Sequence, residues 1–449
     1  MAIEWPLTTI GEHVELLTGE AFKSSGFTDS GVRLARGDNV KEGEFEWGEK
    51  TRCWPTVTPD LERYLLRDGD VLLGMDGSKV GKNWVQVRSK DLPCLLVQRV
   101  ARLRGKETLD QGYLRFLIGN PAFRDYVHRV RTGTSIPHIS GGQIKSYQIS
   151  LPPLPEQKRI ADILGALDDK IDLNRRMNAT LEGILRAIFK SWFVDFDPVR
   201  QKAAGKQPAG IDAQTAALFP DSFEDSRIGE VPKGWTATVL EDVLEEIETG
   251  GRPKGGVAAY SSGVPSIGAE SIVGLGEFDY AKTKFVPRDF YEKMKKGRVR
   301  SRDVLLYKDG GRPGQFEPHV TLFGDGFPFD ECAINEHVYR LRARPDFGQA
   351  LLFCWLSSDL VMDEMRVKGT GVAIPGLNST QARSLTTLRP PVEIALAFDG
   401  CVEPAVAGIL SACKESRHLA VVRDTLVPKL LSGEIRVAEA EEAVVEALG

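Results

Sequence analysis

From Ile160 to Trp192 the chain places one residue of a stripe at alternating four- and three-residue steps: Ile160, Leu164, Leu167, Ile171, Asn174, Asn178, Leu181, Leu185, Ile188 and Trp192. That is the spacing of a coiled-coil seam, and it predicts a helix from Pro155 to Trp192. At about 1.5 Å per residue the helix is roughly 50 Å long. A lone helix of this length cannot bury its own seam. A shift of 238 residues supplies a partner: Phe398, Val402, Ala405, Ile409, Ala412, Ser416, Leu419, Arg423, Leu426 and Leu430. Arg423 interrupts this second seam, and Pro404 is expected to kink or open its helix. Asn174 and Asn178 sit mid-stripe. They either fix the register of the pair or mark a locally wet stretch beside small Ala412 and Ser416.

The same offset relates TGTSIPHISGGQIKSYQISLPPL (132–154) to TGVAIPGLNSTQARSLTTLRPPV (370–392) without a gap. The chain is therefore an internal repeat. Earlier in each copy the match continues with drifting loop lengths. DVLLGMDG (70–77) matches DVLLYKDG (303–310), VQRVARLR (97–104) matches NEHVYRLR (335–342), and Trp5 matches Trp235. Branched apolar runs predict strands over 70–75 and 95–103. A helical pair flanks Asn120-Pro121, with its counterpart over 350–367. Residues 200–230, rich in Ala, Gly, Gln and Pro, read as a linker with one short helix.

Composition changes this picture little. The chain has 449 residues, enough for two or three domains. It is 42% hydrophobic and 27% charged, with a net charge of −5, as in ordinary soluble proteins. No apolar run is expected to reach the roughly 18 residues of a membrane span, and the N-terminus does not read as a signal peptide. The six scattered cysteines fit a reducing cytosol rather than a disulfide framework or a zinc knuckle. Acid excess is concentrated in 392–449, with five Lys/Arg against ten Asp/Glu. Residues 282–302 instead hold nine Lys/Arg against Asp289 and Glu292, a run that serves equally as a solvated face or a polyanion contact.

Catalytic signatures are missing from the sequence. No Gly-x-x-x-x-Gly-Lys-Ser/Thr loop is present. NPAF (120–123) departs from the Asn/Asp-Pro-Pro-aromatic pattern of adenine methyltransferases at its second proline. The six histidines show no ligand spacing, and Asp195 and Asp197 read as helix-end residues rather than a metal pair.

Residues 151–200, LPPLPEQKRIADILGALDDKIDLNRRMNATLEGILRAIFKSWFVDFDPVR, resemble the central conserved region of the specificity subunit of type I restriction–modification enzymes. RDTLVPKLLSGEIRV (423–437) resembles that family's C-terminal conserved region, and 210–235 its connection into a second recognition domain. The resemblance implies an α+β fold: two similar α/β target recognition domains separated by two long antiparallel coiled-coil helices, with a pseudo-twofold repeat. Mapped onto this chain, the domains span 1–154 and 231–391, the helices 155–199 and 392–432, the linker 200–230 and a tail 433–449. The implied partners are double-stranded DNA, two methyltransferase (modification) subunits carrying S-adenosylmethionine, and motor–nuclease subunits using ATP and magnesium. The chain itself would hold no cofactor, perform no catalysis, bind no membrane and work in the cytoplasm. A stand-alone DNA enzyme and a protein-only scaffold are the rival readings; the two helical signatures favour the specificity subunit.

Candidate DNA contacts fall in loops between the shared elements. Gly77, Ser78, Lys79 and Lys82 follow the first strand, and Lys308 and Arg312 follow its counterpart. Backbone amides, Ser and Lys suit phosphate, and Arg312 suits guanine; an ordinary Gly-rich turn would carry the same residues. Arg129, Arg131 and Thr134, with Lys368 and Thr370, flank the repeated Ile-Pro, for which shaping the entry to the last strand is the alternative role. Lys293, Lys295, Lys296 and Arg298 complete the set as phosphate contacts.

Overall fold

The computed structural model describes residues 5–133, 135–312, 314–369 and 375–448. These divide into two units. The first contains residues up to 171 together with 417 onward, so it joins the two ends of the chain; the second contains 172–416.

In the first unit an antiparallel sheet runs in the order Val14–Thr18, Val100–Gly105, Val71–Gly74, Trp84–Gln86. Val71 and Leu73 face one apolar cluster, while Leu72 faces another. Coverage on both faces explains why this strand reads as an unbroken apolar run without alternation. A smaller sheet pairs Val32–Ala35 with Cys53–Trp54 and Cys94–Leu96. The single strand expected over 95–103 is thus two strands in two sheets. A turn over 97–100 breaks it, closed by the Val100 N–H donating to the Val97 carbonyl at 3.2 Å, with Arg99 at φ 67°. Helices Gln111–Gly119 and Pro121–Val130 follow. Asp110 caps the first, and Asn120 ends it and caps the second, whose first residue is proline.

The second unit repeats this order. Its main sheet is Leu244–Thr249, Val338–Ala343, Val304–Tyr307, Val320–Leu322, and its smaller sheet Lys284–Val286, Val264–Ile267, Ala333–Ile334. Buried charge repeats too. Asp70 binds Arg104 at 2.5 Å beside buried Arg102, and Asp303 binds Arg340 at 3.0 Å and Arg342 at 2.7 Å. The identical Gln143 and Gln381 have a structural task. Each closes a capping box on a short helix, Gly141–Lys145 or Ser379–Arg383, and its amide donates to the carbonyl of Val130 or Lys368.

The long helices are Leu154–Phe193 and Val392–Ser432. In the first unit Ile160, Leu164 and Leu167 share a core with Leu419, Leu426 and Leu430. Arg423 does not leave a gap there. Its guanidinium donates to Asp168 at 2.7 Å, and Asp168 also binds buried Arg115 at 3.1 Å. In the second unit the helices pair antiparallel: Asn174 meets Ser416, Asn178 meets Cys413, Leu181 lies by Gly408 and Phe193 stacks edge-on to Phe398. The Asn174 amide reaches Glu415 at 2.7 Å and Ser416 at 3.2 Å directly, so register is set by side-chain bonds at that position.

Four expectations change. Pro404 does not open its helix, which runs uninterrupted for 41 residues. Pro404 and Gly400, whose carbonyl loses its N–H partner, are both exposed, and water can serve that carbonyl. Residues 200–230 form more than a linker. Helices Asp197–Ala203 and Ala213–Leu218 lead into strands Phe223–Ser226 and Gly229–Pro232, anchored by Phe219 edge-on to Trp192 at 5.1 Å. The tail forms helix Val437–Leu448, which buries Val437, Ala440 and Val444 in the core of the first unit. By length and composition the helix Val392–Ser432 does qualify as a membrane span, with a window of mean hydropathy 1.5. Its apolar residues Ile394, Phe398, Val402, Val406 and Ile409 lie in the core of the second unit.

Candidate nucleic-acid interface

The repeated motifs converge in each unit on one backbone frame. In the first, Met75 N–H donates to the Arg99 carbonyl at 2.8 Å, Gly77 N–H to Pro137 at 3.0 Å, and Ile139 N–H to Met75 at 2.8 Å. In the second, Lys308 N–H donates to His337 at 3.1 Å, Gly310 N–H to Pro375 at 2.9 Å, and Leu377 N–H to Lys308 at 2.7 Å. The loop after the strand and the Ile-Pro stretch, far apart in sequence, are therefore laced together identically twice. A third segment joins them. Gly19 and Gly250 end the first strand so close to the next backbone that an added Cβ would lie 2.2 Å from the Val97 oxygen and 1.6 Å from the Ile334 oxygen.

Side chains on this common frame differ. Asp76 binds Arg99 at 2.9 Å, whereas Asp309 binds His337 at 3.1 Å and also pairs with Lys308. Glu336 links His337, at 3.4 Å, to Arg252, at 3.0 Å. In the first unit an open depression of about 490 Å³ borders Met75, Asp76, Arg99, Ile136 and His138.

The sequence-selected residues fall into two groups. Ser78 and Lys79 are exposed beside the Asp76–Arg99 pair, and Arg129 is exposed at the end of helix Pro121–Val130 with Arg131 half-buried after it. Arg312 is exposed in the hairpin Gly311–Arg312/Gln315–Phe316. Lys295 and Lys296 are exposed, and Lys293 has only a 3.8 Å approach to Asp289. This basic turn abuts Gly250 through Gly297, since a Cβ on Gly297 would come within 2.6 Å of the Gly250 Cα.

The other group is already engaged within the protein. The Gly77 amide serves Pro137, and Lys82 pairs with Glu42 at 3.0 Å. Lys308 is held by Asp309 and lies 5.5 Å over the Tyr339 ring. Lys368 binds Glu364 at 2.8 Å and the Ser384 carbonyl at 2.8 Å. Arg298 donates to the carbonyls of Tyr291 and Glu292. Thr134 and Thr370 lie outside the described residues. Arg99, His337 and the Thr-Gly pairs 18–19 and 249–250 were not selected from sequence, although the Thr-Gly repetition itself was visible. Asp195 pairs with Lys190, and Asp197 begins a helix. Among the described residues no three His, Cys, Asp or Glu side chains are placed to hold a metal ion.

Residues 3–183 match the family model of the type I restriction modification DNA specificity domain. Curated relatives named as type I restriction enzyme specificity subunits align well beyond it. The MjaIX subunit of Methanocaldococcus jannaschii is 24% identical over 337 residues, covering 74% of this chain and 71% of its own. The HindI subunit of Haemophilus influenzae is 29% identical over 359 residues, covering 68% and 72%. The family model and both relatives are of type I restriction–modification specificity subunits. The fold agrees. The crystal structure of the S subunit from M. genitalium superposes with a TM-score of 0.55 at 15% identity, covering 96% of both chains.

Proposed function

We propose that this chain is a non-catalytic specificity subunit of a type I restriction–modification system that assembles with the system's other subunits, and that each of its units reads one half of an asymmetric, bipartite duplex DNA target, through recognition domains spanning 1–154 and 231–391. One observation carries the reading: the backbone frame is repeated bond for bond, while the side chains mounted on it differ. Met75, Arg99 and His138 in one copy stand where Lys308, His337 and Gly376 stand in the other. Equal frames with unequal chemistry suit two related but distinct half-sites. Ser78, Lys79, Arg129 and Arg131 serve the first, and Lys293, Lys295, Lys296 and Arg312 the second, by phosphate and groove contact. Lys82, Lys308, Lys368 and Arg298 shape the loops instead.

The helices over 155–199 and 392–432 act as a ruler for the unread spacer. Half-sites met from one face recur about 34 Å apart, within the reach of such helices. They also dock two methyltransferase subunits carrying S-adenosylmethionine. Exposed Leu173, Met177 and Ile184, on one helix face, supply apolar surface for that contact. Motor–nuclease subunits with ATP and magnesium complete the restriction complex in the cytoplasm.

Genome-wide adenine methylation mapping, in a host expressing the modification subunit with and without this chain, tests the reading. A methylated two-part motif appearing only with the chain is the expected result. Absence of any chain-dependent motif, with the modification subunit soluble and bound, would remove it.

A further inference from the structure

The turn joining the two strands at 97–100 differs between the copies. In the second unit Asn335 opens the turn, and its Oδ1 accepts from the His337 N–H at 2.8 Å; His337 keeps a negative φ. In the first unit Val97 stands in that place and offers no side-chain acceptor, and Arg99 carries φ 67°. Glycine or asparagine is the ordinary choice at such a position. Packing does not explain an arginine there, because its side chain is 68% exposed. Backbone strain kept without a packing reason concentrates where function requires it.

Asp76 is the one side-chain partner of this guanidinium among the described residues, accepting from Nη1 at 2.9 Å. Asp76 is itself fixed. Its backbone bridges His138, and the residues on either side of it bind Arg99 and Pro137. A guanidinium held along one edge by a fixed carboxylate presents its remaining donors as an oriented fork. That fork matches the O6 and N7 acceptors of guanine in the major groove. Exposed Ser78 and Lys79 follow Asp76 in the same loop, so phosphate contacts there would bring the groove to the fork.

We propose that Arg99 is the guanine-reading residue of the first unit, with Asp76 as its positioning residue; the proposal rests on the half-site reading above. In the second unit His337 takes the place of Arg99. His337 gives Nδ1 to Asp309, and its other ring nitrogen lies 3.4 Å from Glu336.

The test uses the full complex with modification subunits, and methylation of duplexes substituted at each half-site position. Arg99→Gly supplies the residue that the backbone favours, so it keeps the fold. Arg99→Lys keeps the charge without the fork, and Asp76→Ala frees the fork. With the wild-type chain, replacing one guanine of one half-site should reduce methylation roughly 5- to 150-fold. That discrimination should fall towards one for Arg99→Gly and Arg99→Lys and fall in part for Asp76→Ala, with the other half-site unchanged in all three. Discrimination retained in Arg99→Gly, or methylation lost equally on every sequence, would overturn the proposal and leave Arg99 as a turn or phosphate residue. A wild-type chain that brings no motif at all would overturn the half-site reading itself, and this proposal with it.

Discussion

The carboxylate of Asp399 fills the space that a side chain on Gly348 would need: a Cβ on Gly348 would lie 2.5 Å from Asp399 Oδ2. Gly348 precedes helix Gln349–Leu356 at φ 92°. Asp399, on the second long helix, accepts from the N–H groups of Leu351 at 2.9 Å and Ala350 at 3.4 Å. In the first unit the equivalent helix is capped locally, by Asp110 accepting from Tyr113 at 2.9 Å, and Ala161 stands in the place of Asp399. One acid has moved from the helix's own start to a helix packed across it. Either arrangement brings a carboxylate to the exposed amides and positive end of the dipole, but the second ties the recognition domain to the long helix.

This exchange predicts a coupled pair of substitutions. Asp399→Ala should cost about 1–2 kcal/mol, as lost caps do. Gly348→Asp alone should also destabilise, through the positive φ and a carboxylate against Asp399. Together they should cost less than their sum, because the new Asp recovers part of the cap. Denaturant titration of the four chains measures this; simple additivity would mean the two positions do not share one cap.

Asp399 also has a pH signature of unusual sign. Burial pushes its carboxyl above the usual value of 3.8, only partly offset by the amides it accepts from. Between 3.8 and that raised value the folded state holds the proton more tightly than the unfolded state. Stability relative to Asp399→Asn should therefore fall as pH rises through that window and stay flat above it. A difference that grows with pH would show that the helix amides outweigh burial.

Asp168 joins Arg115 and Arg423, and Arg115 is 9% exposed. Asp168→Ala would leave that guanidinium buried without its ion-pair partner. Because Asp168 is itself 24% exposed, the expected cost is roughly 2–3 kcal/mol, below that of a fully buried pair. Adding Arg115→Met should recover much of it; no recovery would place the loss in packing rather than charge.

How far these features were legible follows from how local their causes are. The seam from Ile160 to Trp192 was readable because burial repeats with the helix period, and the offset of 238 found its partner. The letters of the interface were readable as a repeat, but the bonds from Gly77 to Pro137 and from Gly310 to Pro375 join segments that only the fold brings together. Arg99 was invisible because nothing in the sequence marks an arginine for a left-handed turn. Lys308 and Lys368 looked available because their partners, Asp309 with Tyr339 and Glu364 with Ser384, could not be assigned from a charge pattern. Pro404 was over-read, since a breaker rule ignores whether solvent can serve the freed carbonyl.

On the proposed ruler role, inserting four residues into both long helices adds about one turn, roughly 6 Å, to each. The preferred spacer should lengthen while both half-sites stay the same. An unchanged spacer in the methylation motif would defeat the ruler.

The C-terminal helix Val437–Leu448 offers a test of how the first unit is closed. Val437, Ala440 and Val444 are buried among its core residues, and Glu441 binds Arg159 of the first long helix at 3.0 Å. The ion pair is half-exposed and contributes little. The apolar contacts dominate: two valines and an alanine are together worth about 3–5 kcal/mol. Deleting 437–449 uncovers the partners of these side chains in the first unit, whereas none of the three belongs to the core of the second. Hydrogen exchange should therefore accelerate across the strands Val14–Thr18 and Val100–Gly105 and leave Val304–Tyr307 and Val338–Ala343 protected as before. Equal acceleration in both sheets would mean that the two units unfold as one cooperative body. No change in either would mean that the helix contributes no net stability despite its buried face.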